Sequence, residues 1–192
     1  MLEFKQVVAG YTHPVIGPVS FRIEAGEVVG LSGRNGIGKS TLFRVLSGEA
    51  QLFGGGIHRQ PGLRLAHHRQ EPVRPEENPL TGSDLLAVNR APAPPREHRL
   101  APLLGWRIDQ LSGGQLQLLE LWCVLNGPAE LILLDEPTHH LDHDAHEQLA
   151  EMLKEAGISQ RAVLIISHEP EFCSRVCSRQ IDLGAVNSAL EL

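Results

Sequence analysis

The spacing of hydrophobic and polar residues changes along the chain. Residues 1–31 alternate apolar and polar positions between turn residues, a pattern that predicts antiparallel strands. The later apolar runs at 131–134 and 162–166 are typical of buried parallel strands, and residues 143–156 and 169–177 have the spacing of helices. Because strands and helices alternate in this part, we predict an α/β fold with a mainly parallel sheet, flanking helices and an N-terminal antiparallel portion.

Turn residues interrupt the chain after the first fifty positions. Strand-like runs at 57–58 and 63–66 lie on either side of Pro61 and Gly62. Proline followed by glycine marks a tight turn, so this stretch predicts a hairpin between the two runs.

Proline is frequent between residues 71 and 110. We expect two short helices in this region, at residues 82–90 and 96–101. The stretch 91–95 separates them, because its prolines cannot lie in a helix interior.

A glycine-rich segment follows the apolar run at 28–31 and precedes a helix-like stretch. It matches G-x-x-x-x-G-K-[ST] in full, the pattern of a phosphate-binding loop. The predicted nucleotide-binding residues are Gly33, Arg34, Asn35, Gly36, Ile37, Gly38, Lys39, Ser40 and Thr41. In such a loop glycines aim backbone N–H groups at phosphate, the lysine reaches the β- and γ-phosphates, and the serine hydroxyl coordinates Mg²⁺. A simple glycine-rich turn is the alternative, and the flanking strand and helix disfavour it.

An acidic pair, Asp135 and Glu136, ends the apolar run at 131–134. The carboxyl end of a buried parallel strand lies at the crevice where α/β folds bind ligands. Asp135 is therefore placed to hold Mg²⁺, and Glu136 to polarise the attacking water. The pair could instead begin a loop or cap a helix. The presence of a phosphate-binding loop in the same chain disfavours this alternative.

The segment Leu-Ser-Gly-Gly-Gln at 111–115 precedes a helix expected from about Gln115 to Asn126. Ser112, Gly113 and Gly114 can offer a hydroxyl and backbone N–H groups to a phosphate, with the helix dipole behind them. An N-capped helix after a flexible turn would have the same sequence. The physical chemistry of the residues leaves both interpretations open.

Taken in chain order, these motifs resemble the ATP-binding-cassette (ABC) ATPase domain, a P-loop NTPase. The resemblance covers nearly the whole chain: Walker A at 33–40, the Q-loop glutamine at Gln70, LSGGQ at 111–115, Walker B at 131–136, the D-loop at Leu141-Asp142 and the switch histidine at His168. It implies a single ABC domain over residues 1–192, with 71–110 and the helix to about 126 as an abbreviated helical subdomain.

The resemblance also implies roles for residues and ligands. ATP and Mg²⁺ are the implied ligands, Tyr11 is expected to stack on adenine, and Gln70 joins Ser40 and Asp135 around the metal. Lys39, Glu136 and His168 are the implied catalytic residues. Two copies would pair head to tail, so that Ser112, Gly113, Gly114 and Gln115 of one copy contact the ATP of the other. A transmembrane permease, as a separate chain, is the implied partner.

Composition, charge and cysteine content indicate where the protein is located and which partners it binds. The chain has 192 residues, 42% of them hydrophobic, and no apolar run approaches the ~20 residues of a membrane span. No secretory signal is apparent, so we expect a cytoplasmic protein, peripheral on the membrane. The net charge of −6 argues against a nucleic-acid partner. Cys123 is expected in the core, and Cys173 and Cys177, one helical turn apart, as half-buried helix residues rather than a zinc site.

The transported solute is less clearly indicated. Residues 56–66, Gln70 and the Pro-Leu-Thr segment at 79–81 resemble the ATPase subunits of zinc and manganese importers. The stretches 67–70 and 116–119 depart from the family pattern. Two alternatives stay open. One is a soluble ABC-F-type switch on ribosomes, which the D-loop segment at 137–142 resembles, although those proteins carry two cassettes and a charged linker. The other is a non-hydrolysing binding module.

Histidines are concentrated after the acidic pair. Four of them, His139, His140, His143 and His146, lie within eight residues, and the last two share a helix face. Such spacing can hold a metal ion, but a solvated helix start gives the same pattern, so a regulatory metal site stays a hypothesis.

Overall fold

The computed structural model describes residues 1–69 and 79–184. The strands are β1 Leu2–Gly10, β2 Pro14–Ile23, β3 Val28–Ser32, β4 Gln51–Arg59, β5 Leu65–His68, β6 Leu131–Asp135, β7 Ala162–Ile166 and β8 Arg179–Asp182. The α-helices are α1 Lys39–Leu46, α2 Gly82–Asn89, α3 Gly113–Asn126, α4 His143–Ile158 and α5 Pro170–Val176, and two 3-10 helices cover Ala101–Gly105 and Ile108–Gln110. Within these ranges, each helix is too short or too polar to cross a membrane.

The strands form two sheets. The smaller sheet is antiparallel with the order β2-β1-β4, and the larger has the order β5-β6-β7-β3-β8 with parallel neighbours throughout. The predicted α/β fold, with a mainly parallel sheet and an N-terminal antiparallel portion, is confirmed. β8, which pairs with β3 at one edge of the parallel sheet, was not among the predicted strands.

The parallel sheet is the middle layer of the core. Along β6, Ile132 and Leu134 pack into the cluster formed with α3, α4 and α5, whereas Leu131 and Leu133 pack into the cluster formed with α1 and the antiparallel sheet. All four side chains are fully buried. Because both faces of the strand are covered, its sequence is a continuous apolar run rather than an alternating one.

The hairpin predicted around Pro61 and Gly62 is wrong. β4 pairs with β1 in the antiparallel sheet, whereas β5 pairs with β6 in the parallel sheet, so the turn connects two sheets. The Arg64 carbonyl accepts hydrogen bonds from the N–H groups of Glu130 and Leu131, which directs the chain onto β6. Residues 65–68 therefore pair with the distant strand β6 and not with the neighbouring run at 57–58.

Of the two helices expected between residues 71 and 110, the first is confirmed as α2 and the second is wrong. Residues 96–100 form turns, and a 3-10 helix covers Ala101–Gly105 instead. The ring Nδ1 of His98 accepts the N–H of Leu100 at 3.2 Å, a local bond that competes with helical pairing. A proline at the start of the 3-10 helix further restricts the backbone there.

Candidate active site

The carboxyl ends of three neighbouring strands meet at one edge of the parallel sheet. Leu31 of β3 lies beside Ile166 of β7, which lies beside Asp135 of β6. The phosphate loop, the acidic pair and the loop that carries His168 therefore begin next to one another. A cleft of about 370 Å³ opens there, lined by Tyr11, Val15, Asn35, Gly36, Gly38, Lys39, Ser40, Thr41, Arg44, Asp135, Glu136, Ile166 and His168.

The phosphate loop depends on glycine at its turning points. Gly33, Gly36 and Gly38 have φ angles of 139°, 78° and 103°, in the region that side chains disfavour. At Gly38 a Cβ atom would lie 2.5 Å from the Cβ of Ile16, so even a methyl group would collide with β2. α1 begins at the next residue, Lys39. Close packing and backbone geometry both require glycine at this position.

The positively charged side chain of Lys39 is buried and lies against the backbone of the phosphate loop. Its ammonium donates hydrogen bonds to the carbonyls of Gly33 at 2.8 Å and Arg34 at 3.3 Å, and the residue is 7% exposed. The N-terminal end of α1 adds its partial positive charge. Loop N–H groups, a lysine and a helix N-terminus together form a site for phosphate.

Most, but not all, of the predicted loop residues line the cleft. Six of them line the cleft: Asn35, Gly36, Gly38, Lys39, Ser40 and Thr41. The other three, Gly33, Arg34 and Ile37, are not in its lining as far as the structure describes it.

Two oxygen-bearing side chains meet where a divalent cation was predicted. The Ser40 hydroxyl lies 3.5 Å from Oδ1 of Asp135, and both residues line the cleft. A hydroxyl and a carboxylate are the hard oxygen donors that Mg²⁺ prefers beside phosphates, so the residues present fit this ion. Gln70, the third predicted ligand, lies outside the described residues.

Glu136 is held in an unusual conformation at the end of β6. Its φ is 51°, and its N–H donates to the Ile166 carbonyl at 2.9 Å, which keeps the strand ladder in register. The residue is 8% exposed. Positive φ in a non-glycine residue costs of order 1–3 kcal/mol and is concentrated at functional sites. Here it turns the carboxylate toward His168.

His168 contacts both carboxylate oxygens of Glu136. Its backbone N–H donates to Oε2 at 3.1 Å, and its ring Nε2 lies 3.1 Å from Oε1, close enough for an ion pair but not aligned as a hydrogen bond. Burial raises the pKa of Glu136 above its usual range, and the His168 N–H partly opposes the shift. A carboxyl group with a raised pKa suits proton abstraction from water.

Tyr11 also lines the cleft. It is 37% exposed, between β1 and β2, and Arg44 donates a hydrogen bond to its hydroxyl at 2.8 Å. The Arg44 guanidinium also lies 5.9 Å from the ring centroid. Arg44 was not among the predicted site residues. The helix spacing could have indicated it, because Arg44 lies one turn after Ser40 on the same face of α1.

The segment at 111–115 caps α3. The Ser112 hydroxyl accepts the Gln115 N–H at 3.2 Å, and the Gln115 side chain accepts the Ser112 N–H at 2.9 Å, a complete capping box. Of the described residues that line the cleft, none belongs to this segment. Within one chain, therefore, Ser112, Gly113, Gly114 and Gln115 are not brought to the phosphate loop.

α3 is tied to the loop that follows Glu136. Gln117 is 5% exposed, and its side-chain amide donates to the Pro137 carbonyl at 2.9 Å. A Cβ on Gly114 would lie 3.5 Å from the His140 carbonyl, so the start of α3 touches the D-loop. Sequence reasoning missed Gln117, because a glutamine inside an apolar helix has no distinct signature.

The histidine cluster does not assemble into a metal site in the described part of the chain. No group of three histidine, cysteine or acidic side chains there could hold a metal ion. The His139 and His140 rings lie edge to face with centroids 4.1 Å apart, and His146 lies 3.6 Å from a carboxylate oxygen of Glu169. Among the cysteines, Cys123 and Cys173 are buried and Cys177 is partly buried.

A family model described as "ABC transporter" matches residues 16–139, more than half of the chain. The chain belongs to the ABC transporter ATPase family. Domains of this ABC family bind and hydrolyse ATP, in agreement with the predicted family and fold. The solved structure of an ATP-binding subunit of an ABC transporter superimposes with a TM-score of 0.81 at 28% identity, over 95% of this chain and 85% of that one.

Three curated relatives differ in length. The zinc import ATP-binding protein ZnuC of Paracoccus denitrificans is 36% identical over 89% of this chain and 70% of its own. The ABC transporter ATP-binding protein YfmM of Bacillus subtilis is 33% identical over 90% of this chain. An ATP-binding cassette sub-family F member 3 homologue of Encephalitozoon cuniculi is 34% identical over 91%. This ABC chain spans only 34% of YfmM and 32% of the sub-family F protein.

Proposed function

We propose that Glu136 is the general base of ATP hydrolysis and that His168 orients its carboxylate. The observation that carries the proposal is the double contact of His168 with Glu136, at the strand end that faces the Lys39 loop. A water between this carboxylate and the γ-phosphate would give its proton to Glu136 as it attacks phosphorus. In this proposal the His168 ring would stabilise negative charge on the γ-phosphate oxygens.

The remaining cleft residues bind and orient ATP in this proposal. The loop N–H groups and Lys39 hold the β- and γ-phosphates, and Tyr11 stacks on adenine while Arg44 fixes its hydroxyl. Ser40 and Asp135, with Gln70, would hold Mg²⁺. When bound, that ion neutralises charge on the phosphate oxygens.

A second copy of the chain completes the site. The cleft is open to solvent beside His168, whose side chain is 53% exposed, and the capped start of α3 lies outside it. We therefore propose a head-to-tail homodimer in the ATP-bound state. Ser112, Gly113, Gly114 and Gln115 of one copy cover the ATP of the other. The proposed domain is residues 1–192, with 71–110 and α3 as its helical subdomain.

We propose that ATP hydrolysis by this chain drives transport across a membrane. The chain would serve as the ATPase subunit of a membrane transporter, docked on the cytoplasmic face of a separate permease. The similarity to ZnuC, over 70% of that protein's length, supports this assignment and supports divalent metal import as the class of transport.

A soluble ATP-dependent switch is the second candidate. It is favoured by the D-loop segment at 137–142 and by the 34% identity to a sub-family F member. In that case the ATP-bound dimer would act on a soluble assembly such as the ribosome, not on a permease. ATP would be bound and hydrolysed in the cleft in the same way by a transporter subunit and by a soluble switch.

The two candidates are separated by capture of the Glu136→Gln variant. The tagged variant is incubated with ATP in detergent-solubilised cells, purified and analysed by quantitative mass spectrometry. A multi-span membrane protein at stoichiometric yield is expected, and it should be lost in the Lys39→Ala control. Ribosomal proteins, or soluble partners alone, would contradict the transporter assignment and support the switch.

A further inference from the structure

Two of the four clustered histidines, His139 and His140, lie on the surface between the cleft and the start of α3. On one side, the His139 N–H donates to the Glu136 carbonyl at 3.2 Å, so the pair directly follows the proposed base. On the other side, a Cβ on Gly114 would lie 3.5 Å from the His140 carbonyl. The two histidines therefore connect the cleft to the capped start of α3.

The two imidazole rings lie side by side. Their centroids are 4.1 Å apart, edge to face, and both residues are exposed. His140 has a φ of 66°, so the alternation of side chains along an extended chain is broken here and the rings project together. In the described part of the chain, neither ring has a hydrogen-bond or ion-pair partner. Both rings are therefore available as ligands.

One copy of the chain supplies too few ligands for a transition-metal site. Zinc in a protein takes four nitrogen, sulfur or oxygen ligands in tetrahedral geometry. Among the described residues of a single chain, no group of three histidine, cysteine or acidic side chains could hold a metal ion. Since His139 and His140 provide two nitrogen ligands, the other two must come from a second molecule.

The proposed head-to-tail dimer supplies the same pair from a second copy. In a two-fold symmetric interface each contact occurs twice, with the two copies exchanged. If the start of α3 in one copy covers the cleft of the other, the point midway between cleft and α3 start lies close to the two-fold axis. His139 and His140 occupy that midway segment. The axis therefore passes close to the rings of both copies.

We propose that His139 and His140 of both copies form a site for a divalent transition metal on the two-fold axis of the ATP-bound dimer. Imidazole nitrogens suit Zn²⁺, Ni²⁺ and Cu²⁺, whereas Mg²⁺ and Ca²⁺ prefer oxygen. The site rests on the proposed dimer and adds regulation to it. A metal ion that binds the dimer and not the monomer shifts the equilibrium toward the dimer.

The observed arrangement of the rings is compatible with such a site. Zn–N bonds of about 2.0–2.1 Å place two tetrahedral nitrogen ligands roughly 3.3 Å apart. The ring centroids are already 4.1 Å apart, and both side chains are exposed rather than packed in the core. Rotation about the side-chain torsions can therefore bring one nitrogen of each ring to the ion.

The test uses the Glu136→Gln variant with an affinity tag that contains no histidine. Sedimentation velocity over a range of protein concentrations measures dimerisation with ATP, with and without Zn²⁺, and equilibrium dialysis measures bound zinc. Excess Mg²⁺ is present throughout to occupy the oxygen ligands in the cleft. We expect one Zn²⁺ per dimer. With free Zn²⁺ at 100 times its dissociation constant, the dissociation constant of the dimer should fall about 100-fold.

Matched substitutions in the Glu136→Gln background locate the metal. His139→Gln, His140→Asn removes the four ligands, and asparagine tolerates the left-handed backbone of His140. This variant should still dimerise with ATP but lose both the bound zinc and the effect of zinc on dimerisation. His143→Gln, His146→Gln changes the other two histidines of the cluster and should respond to Zn²⁺ like the parent.

The two measurements separate failure of the metal site from failure of the dimer. An ATP-driven dimer that binds no zinc would overturn the metal site and leave the dimer intact. An unchanged zinc effect in His139→Gln, His140→Asn would also overturn the site, because the metal would then bind elsewhere. A protein that stays monomeric with ATP, with or without Zn²⁺, would contradict the proposed dimer and the site that rests on it.

Discussion

His168 reaches Glu136 twice: its N–H donates to Oε2 and its ring Nε2 lies near Oε1, both at 3.1 Å. Glu136 directly follows β6 and His168 lies two residues after β7, and these adjacent parallel strands are held in register by the bond from the Glu136 N–H to the Ile166 carbonyl. The sheet therefore fixes the carboxylate, and the buried surroundings set its proton affinity.

The raised pKa of Glu136 predicts a pH-dependent stability difference. The folded protein holds this proton more tightly than the unfolded chain, so stability is lost as pH rises from the ordinary value of 4.5 through the raised value. Glu136→Gln removes the titrating group. Urea unfolding is measured from about pH 4 to pH 8. The free energy of unfolding of the variant should rise relative to that of the wild type as pH passes from 4.5 through the raised pKa, and at higher pH the difference between the two proteins should stay constant.

Glu151→Gln, at an exposed position of α4, is the control for this titration. The same urea unfolding series on this variant measures how much a Glu→Gln substitution changes stability at a surface position, away from the cleft. A pH-independent difference between Glu136→Gln and the wild type would contradict the raised pKa.

Gly38→Ala should abolish nucleotide binding. Alanine there must adopt a φ of 103° and place Cβ 2.5 Å from the Cβ of Ile16, which displaces the loop from β2. Gly48→Ala is the matched control, because its φ of 81° imposes similar strain, about 1–2 kcal/mol, in open space. Titration with a fluorescent ATP analogue should show binding for the control only. Equal affinities of the two variants would refute the packing argument.

Gln117→Leu tests the link between α3 and the catalytic loop. The variant keeps the volume but leaves the buried Pro137 carbonyl without its donor, which costs about 1–3 kcal/mol of unfolding free energy. Gln148→Leu removes a weaker bond of 3.3 Å on the surface of α4 and should change stability by at most about 0.5 kcal/mol. Denaturant unfolding measures both. Similar losses in the two variants would show that the Gln117 bond contributes nothing.

ATP should drive dimerisation of Glu136→Gln. Binding without turnover stabilises whichever state binds ATP more tightly, and the proposed dimer encloses two ATP molecules. Sedimentation velocity should show a dimer with ATP and a monomer with ADP. The double variant Glu136→Gln, Lys39→Ala should remain monomeric with either nucleotide. A monomer at saturating ATP in the single variant would argue against the shared site.

Local sequence predicted much of the site, because its motifs follow buried strands. The run before Asp135 and the run before His168 have the composition of central parallel strands, and parallel strands bring their carboxyl ends together. The positions of Lys39, Ser40 and Glu136 in one cleft followed from that rule. Their proposed chemical roles remain predictions.

The pairing of strands that are distant in the chain could not be predicted from local sequence. β8 is short, with one buried residue, Ile181, and its strand conformation depends on pairing with β3 about 150 positions earlier in the chain. Similarly, nothing local distinguishes pairing of Leu65 with the neighbouring run from its observed pairing with Leu131. Gln117 acquires its importance only from the carbonyl it meets.

Steady-state ATP hydrolysis by the wild type, Glu136→Gln and Glu151→Gln tests the central claim most directly. Glu136→Gln should lower kcat by about 10²–10⁴-fold, the usual contribution of a general base, while ATP binding is retained. Glu151→Gln, at the exposed position of α4, should hydrolyse ATP at the wild-type rate. Wild-type turnover in the Glu136→Gln variant would contradict the assignment of this carboxylate as the base.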